Sequence, residues 1–115
     1  MTPHKIHYTQ TFKNQLYDRF HYLTRHIGPE ASAELLERFI GNFEARIADY
    51  PQSAPICEET ADLGLTHYHD YVYPKLQLRV IYRIDAANGV VFGMLFLSTR
   101  QSIREALIQY CLRRE

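Results

Sequence analysis

Hydrophobic residues along the chain switch between a period of two and a period near 3.6, and each switch marks the edge of an element. In "KIHYT", Lys5, His7 and Thr9 alternate with Ile6 and Tyr8, which predicts a short strand with one buried face. From Thr11 the period lengthens: Phe12, Leu16, Phe20, Leu23 and Ile27 fall on one helical stripe. Gly28 suits the left-handed position that follows a helix, and Pro29 has the φ favoured at the first turn of the next. The second helix carries Leu36, Ile40, Phe43, Ile47 and Tyr50 on its stripe, Glu30 and Glu34 near its positive end, and Pro51 at its close. Two long helices joined this closely predict an antiparallel hairpin.

"PQSAPICEETADLG" then reads as a surface connection without a regular element. The β pattern returns in "LTHYHDYVY" from Leu65, and Pro74-Lys75 turns the chain into "LQLRVIYRID". Leu76, Leu78, Val80, Tyr82 and Ile84 share one face of that strand. In "DAANG", Asn88-Gly89 admits positive φ and leads a hairpin into "VVFGMLFLS". This last strand is apolar on both faces, so it is expected in the middle of the sheet, covered by the helical hairpin on one side. A C-terminal helix, "SIREALIQYCLRR", capped by Ser102 and apolar at Ile103, Leu107 and Tyr110, is expected on the other. The predicted fold is α+β, in the order β-α-α-β-β-β-α: a helical hairpin on a mainly antiparallel four-stranded sheet, with residues 1–115 forming a single domain.

Composition narrows this picture. A chain of 115 residues with 46% hydrophobic content supports one core. No run reaches the roughly 18 apolar residues of a membrane span, and "MTPHKIHYTQ" lacks the apolar stretch of a secretory signal, so a cytoplasmic protein without membrane contact is expected. Cys57 and Cys111 lack metal-type or CxxC spacing and read as free thiols. The net charge of zero conceals an uneven distribution: residues 1–27 carry +3, residues 28–70 carry −7 and residues 71–115 carry +4. Either amphipathic helices simply carry solvated charges on their outer faces, or a fold that gathers residues 71–115 shows a positive patch able to meet phosphate or an acidic protein.

The candidate chemistry centres on "LRVIYRID", which places Arg79 and Arg83 on one face of a strand. If Asp85 lies opposite Val90, Arg79 lies opposite Phe96, and Ser98 and Arg100 project from the same side. Four residues at about 3.3 Å each would separate the two Cα atoms by roughly 13 Å, a gap that two arginine side chains can close around a phosphate. The alternative is that Arg79 and Arg83 reach past the C-terminal helix to water or pair with Glu105 and Asp85. His67 and His69 have strand spacing and could join Cys57 or Asp70 around a metal, but a third ligand is not assured, and two surface histidines are the simpler reading. Tyr68, Tyr71, Tyr73 and Tyr82 could stack on bases or simply pack in the sheet. His21 and His26 read as ordinary solvent-side residues.

The "RVIYR" strand, followed some twenty residues later by "TRQ" after an apolar strand, in this element order, resembles the RelE/ParE superfamily, the toxins of bacterial type II toxin–antitoxin pairs. Such proteins inhibit growth, have been linked to plasmid stabilisation and are neutralised by a cognate antitoxin protein. The RelE branch cuts messenger RNA on the ribosome, without metal or other cofactor. Its phosphate-holding arginines correspond to Arg79 and Arg100, which would stabilise charge in phosphoryl transfer. The lysines of that branch fall around Asp70 to Val72, where this chain has none and Lys75 is nearest; its C-terminal tyrosine falls at Ala106, with Tyr110 one turn late. The ParE branch inhibits DNA gyrase without a nuclease site, has a longer helical hairpin and commonly runs from its fourth strand into an Arg-Gln pair such as Arg100-Gln101. The resemblance therefore favours a ParE-like toxin that binds its target through Arg79, Arg83, Arg100, Gln101 and Arg104. A RelE-like endoribonuclease using Arg79 and Arg100 with Lys75 or Tyr110 is the alternative, and an inactive antitoxin-binding relative is a third.

Overall fold

The computed structural model describes residues 3–101; the expected C-terminal helix, with Ser102, Arg104 and Tyr110, lies outside these residues. Strand β1 (Lys5–Tyr8) leads into helix α1 (Gln10–Ile27), and α2 (Pro29–Asp49) follows at once. Thr9 starts α1 because its hydroxyl oxygen accepts from the Phe12 amide at 3.1 Å, satisfying one of the helix's unpaired first-turn donors. Gly28 joins the helices at φ 85°, and Pro29 opens α2 as the sequence predicts. Phe12 of α1 and Leu36, Phe39, Phe43 and Ile47 of α2 are buried. The predicted stripes overshoot at their ends. Ile27 and Tyr50 are exposed, since each closes its helix where the chain turns away from the sheet.

The segment after α2 corrects the expectation of an irregular connection. Glu58–Asp62 forms a short helix, α3, whose Thr60 is buried and donates from its hydroxyl to the Cys57 carbonyl at 3.1 Å. Five residues are too few to show a hydrophobic period; the helix is evident only in its backbone hydrogen bonds, such as the Ala61 amide donating to the Cys57 carbonyl at 3.1 Å.

Strands β2 (Tyr68–Tyr73), β3 (Leu78–Asp85) and β4 (Val90–Ser98) form antiparallel neighbours, and β1 pairs with β4 in parallel. The order is β1-β4-β3-β2, which places the doubly apolar β4 in the interior of the sheet, as expected. Two strand edges differ from the sequence reading. Leu65 to His67 precede β2, and Leu76 lies exposed in the turn before β3, where Gln77 takes a positive φ of 54°. At the β3–β4 hairpin Gly89 supplies the positive φ, at 64°, whereas the Asn88 side chain binds Asp85 at 2.9 Å.

The sheet has two unlike faces. Val80, Tyr82, Val91 and Phe96 pack with Phe12, Leu36, Phe39, Phe43 and Ile47 under the hairpin. Ile81, Leu95 and Leu97 form a second cluster with Cys57 on the opposite side. At roughly 25 cal/mol per Å² of apolar surface removed from water, these two clusters supply the main driving force for the fold. Among the described residues, no helix is long and apolar enough to cross a membrane.

Candidate functional site

The geometry of the site is set by one extra residue in β4. Asp85 lies opposite Val90 as expected, but the register shifts between Ile81 and Tyr82: Tyr82 faces Gly93, whereas Ile81 faces Leu95. Met94 is left over as a bulge. Two local features hold it there. Tyr8 packs so tightly on Gly93 that a Cβ at that position would stand 2.6 Å from the ring, and the Thr9 hydroxyl donates to the Met94 carbonyl at 3.0 Å. The consequence is that Arg79 lies opposite Leu97 rather than Phe96. Directly opposed residues share a face, so Arg79 belongs to the side bearing Ile81, Leu95 and Leu97, and Ser98, opposite Leu78, belongs to the hairpin side. The expected convergence of Arg79 and Arg100 on one phosphate is therefore not formed.

Arg79 is instead held by carboxylates. Its Nε donates to Asp70 Oδ1 at 3.1 Å, its Nη2 donates to Asp70 Oδ2, and its Nη1 lies 3.3 Å from Glu59 of α3. The Arg79 and Asp70 side chains keep only 12% and 14% of their exposure, so this fork-to-fork pair is largely withdrawn from water. Burial by itself lowers the arginine's affinity for its proton, but the hydrogen bonds and charge of Asp70, helped by Glu59, raise it overall. The arrangement ties β2, β3 and α3 together. It presents no uncompensated positive charge to an incoming anion.

Arg100 occupies different surroundings. With Ser98 and Gln101 it lines a groove of about 490 Å³ whose other walls are Gln15, Asp18, Arg19 and Tyr22 of α1, Leu76 and Gln77 of the β2–β3 turn, and Phe96. The turn is fastened to the end of β4 by Thr99, whose amide donates to the Gln77 carbonyl at 2.8 Å, and the Gln101 side chain accepts from the Ser98 amide at 2.9 Å. Arg19 lies over the Tyr22 ring, 5.0 Å from its centroid. Neither Arg19 nor Arg100 has an ion-pair partner among the described residues. Gln15 is 5% exposed; its Oε1 accepts from the Phe96 amide at 3.0 Å, and its Nε2 has no acceptor among the described residues. An unpaired buried donor costs about 1–3 kcal/mol.

A sequence model of the ParE toxin of type II toxin–antitoxin systems (parDE) matches residues 6–103. The chain belongs to the ParE toxin family. No individually curated protein matches it by sequence. Among solved structures, it resembles a chain of the chromosomal ParDE toxin–antitoxin system from P. aeruginosa, with a TM-score of 0.67, 10% identity, and coverage of 83% of this chain and 95% of that one. It also resembles a chain of the RelBE2 toxin–antitoxin complex from Mycobacterium tuberculosis, with a TM-score of 0.55, 19% identity and 85% and 93% coverage. The isolated RelE toxin from E. coli aligns with a TM-score of 0.52, 12% identity and 92% and 97% coverage. At these identities the structural likeness establishes the α+β fold of the RelE/ParE superfamily.

The remaining candidate residues of this ParE-family chain are dispersed. Lys75 is exposed in the β2–β3 turn, and Arg83 stacks over Phe92 at 4.3 Å on the same side of the sheet as Arg79. Arg104 and Tyr110 are beyond the described residues. The His67, His69, Cys57 and Asp70 grouping does not form: His69 Nδ1 is 2.8 Å from the Ala54 carbonyl, Asp70 holds Arg79, and no metal-type cluster of three or more such residues occurs among the described residues. Tyr71 and Tyr82 are buried among Phe39 and Phe43, and Tyr73 packs edge-on against Phe39, so packing rather than base stacking accounts for these rings. The groove residues of α1 went unnoticed in the sequence reading. One signal was present: Gln15, Arg19 and Tyr22 recur at helical spacing, so that they share one face of α1.

Proposed function

We propose that this chain is a toxin that inhibits growth by binding a macromolecular target, with DNA gyrase the target to test first, and that a cognate antitoxin neutralises it in the cytoplasm. The observation that carries this reading is the capture of Arg79 by Asp70 and Glu59 while Arg100 faces a separate groove. Phosphoryl-transfer catalysis by the RelE arrangement relies on cations preorganised around one phosphate. Here one of the two corresponding arginines is neutralised and the other is turned to the opposite side of the sheet. A binding mode needs no such convergence. It requires an exposed surface of complementary charge, which the groove and its two arginines offer.

The decisive experiment uses the purified full-length chain in two assays. Inhibition of gyrase-catalysed supercoiling, with messenger RNA left intact in a translation extract, is the expected result. Codon-linked cleavage of message in the extract would establish the endoribonuclease instead, and overexpression without any effect on growth would point to an inactive, antitoxin-binding relative.

A further inference from the structure

We infer that the groove between α1 and the end of β4 is a docking site for an acidic side chain presented by a protein partner. The groove is asymmetric in its chemistry: two guanidinium groups, Arg19 and Arg100, meet one carboxylate, Asp18, and the rest of its polar lining consists of amides and hydroxyls. Its floor includes the buried Gln15, fixed through Oε1 on the Phe96 amide, and the Nε2 of this glutamine lacks an acceptor among the described residues. A carboxylate entering between the arginines supplies negative charge to both and brings acceptor oxygens toward that amide. Small side-chain adjustments then satisfy a donor that the described residues leave unpaired.

Nucleic acid fits this lining less well. A phosphate backbone is read by a track of cations, whereas here Asp18 sits directly beside Arg19 and would repel successive phosphates. A peptide brings one charge together with neutral carbonyl and amide groups, which match Gln77, Gln101, Ser98 and Tyr22. The inference rests on the reading of this chain as a protein-binding toxin, but its test is direct binding to the isolated chain. Loss of that binding leaves the growth and supercoiling results standing, and failure of those assays leaves the binding result standing.

The test is a titration of the isotopically labelled full-length chain, followed by NMR, with a capped peptide of alternating Glu and Ala. The same peptide with Gln in place of Glu, a short single-stranded RNA and inorganic phosphate serve as comparators. The Glu peptide is expected to shift the Gln15 side-chain amide and the Arg19 and Arg100 guanidinium signals. Arg19→Gln and Arg100→Gln should each weaken its binding about tenfold, the loss of one charge-assisted hydrogen bond. Arg38→Gln, whose exposed side chain pairs with Glu34 on α2, should leave it unchanged. Equal binding of the Gln peptide, stronger binding of RNA or phosphate at the same signals, or no shift at about 1 mM Glu peptide would overturn the inference. Because both arginine changes are on the groove wall and leave the Gln15–Phe96 anchor intact, native spectra are expected for both variants.

Discussion

Arg79 and Arg100 occupy the two sides of the same sheet and differ in what surrounds them. Arg79 has two carboxylate partners and little exposure; Arg100 is exposed, has no ion-pair partner among the described residues, and stands across a groove from a second unpaired arginine. A charge whose hydrogen bonds are already made inside the protein stabilises the position of the elements it joins. A charge left without partners beside an unpaired buried amide retains its capacity for a ligand. The contrast separates an arginine engaged in holding the fold from one that is open to the docking role proposed above, although their sequence contexts look equally promising.

The largest test of that contrast is Arg79→Ala. Removing the guanidinium leaves Asp70 nearly buried and uncompensated, and the expected loss is about 3 kcal/mol in urea unfolding. Replacing both partners, Arg79→Met with Asp70→Leu, should recover most of it, since apolar groups of similar size remove the desolvation penalty along with the attraction. Should Arg79→Ala unfold at the wild-type urea concentration, the structural assignment of Arg79 fails.

Next in size is Gly93→Ala. The added methyl would collide with the Tyr8 ring beside the bulge that separates the two arginines. A cost of about 1–3 kcal/mol is expected from overpacking, visible as a lower thermal midpoint. An unchanged midpoint would show that the bulge does not depend on the close contact between Gly93 and Tyr8.

A smaller effect concerns alkaline pH. Burial pushes the Tyr82 hydroxyl from its ordinary 10.0 up to about 12, while it donates to the Pro51 carbonyl at 2.6 Å. Between those values the unfolded tyrosine has lost its proton and the folded one retains it, so stability is complete below the unfolded value and falls as pH rises through this window. Tyr82→Phe should lose about 1 kcal/mol at neutral pH and show a shallower alkaline decline. Tyr8, half-buried and hydrogen-bonded to Glu44, is raised in the same direction and should maintain part of the decline in that variant.

The smallest change in stability is expected from Arg100→Ala, within about 0.5 kcal/mol, because the side chain is exposed and has no ion-pair partner among the described residues. Its effect should appear in function, as weakened growth inhibition on expression at equal protein level. Wild-type toxicity from this variant, alongside toxicity abolished by a folded Arg79→Met/Asp70→Leu protein, would reverse the assignment of the two arginines.

How much of this was legible beforehand depended on the range of the interaction. Alternation in "KIHYT" and "LRVIYRID", the stripe from Phe12 to Leu23 and the Gly28-Pro29 junction are local patterns, and they predicted the strands, the helical hairpin and the central place of β4. Helix α3 was missed because its five residues are too short for periodicity. The site was harder to read than the fold. Its register required knowing that Met94 bulges, and that depends on Tyr8 and Thr9, contributed by β1 and its junction with α1 more than eighty residues away.

The sequence by itself determined the helical hairpin, the four strands in their order, the doubly buried central strand and the family resemblance, because these follow from the period of apolar side chains and from short motifs. Tertiary structure alone decided which arginine is neutralised and which is available. A strand reverses its faces with a shift of a single residue, and whether that shift occurs is set by contacts between segments far apart in the chain.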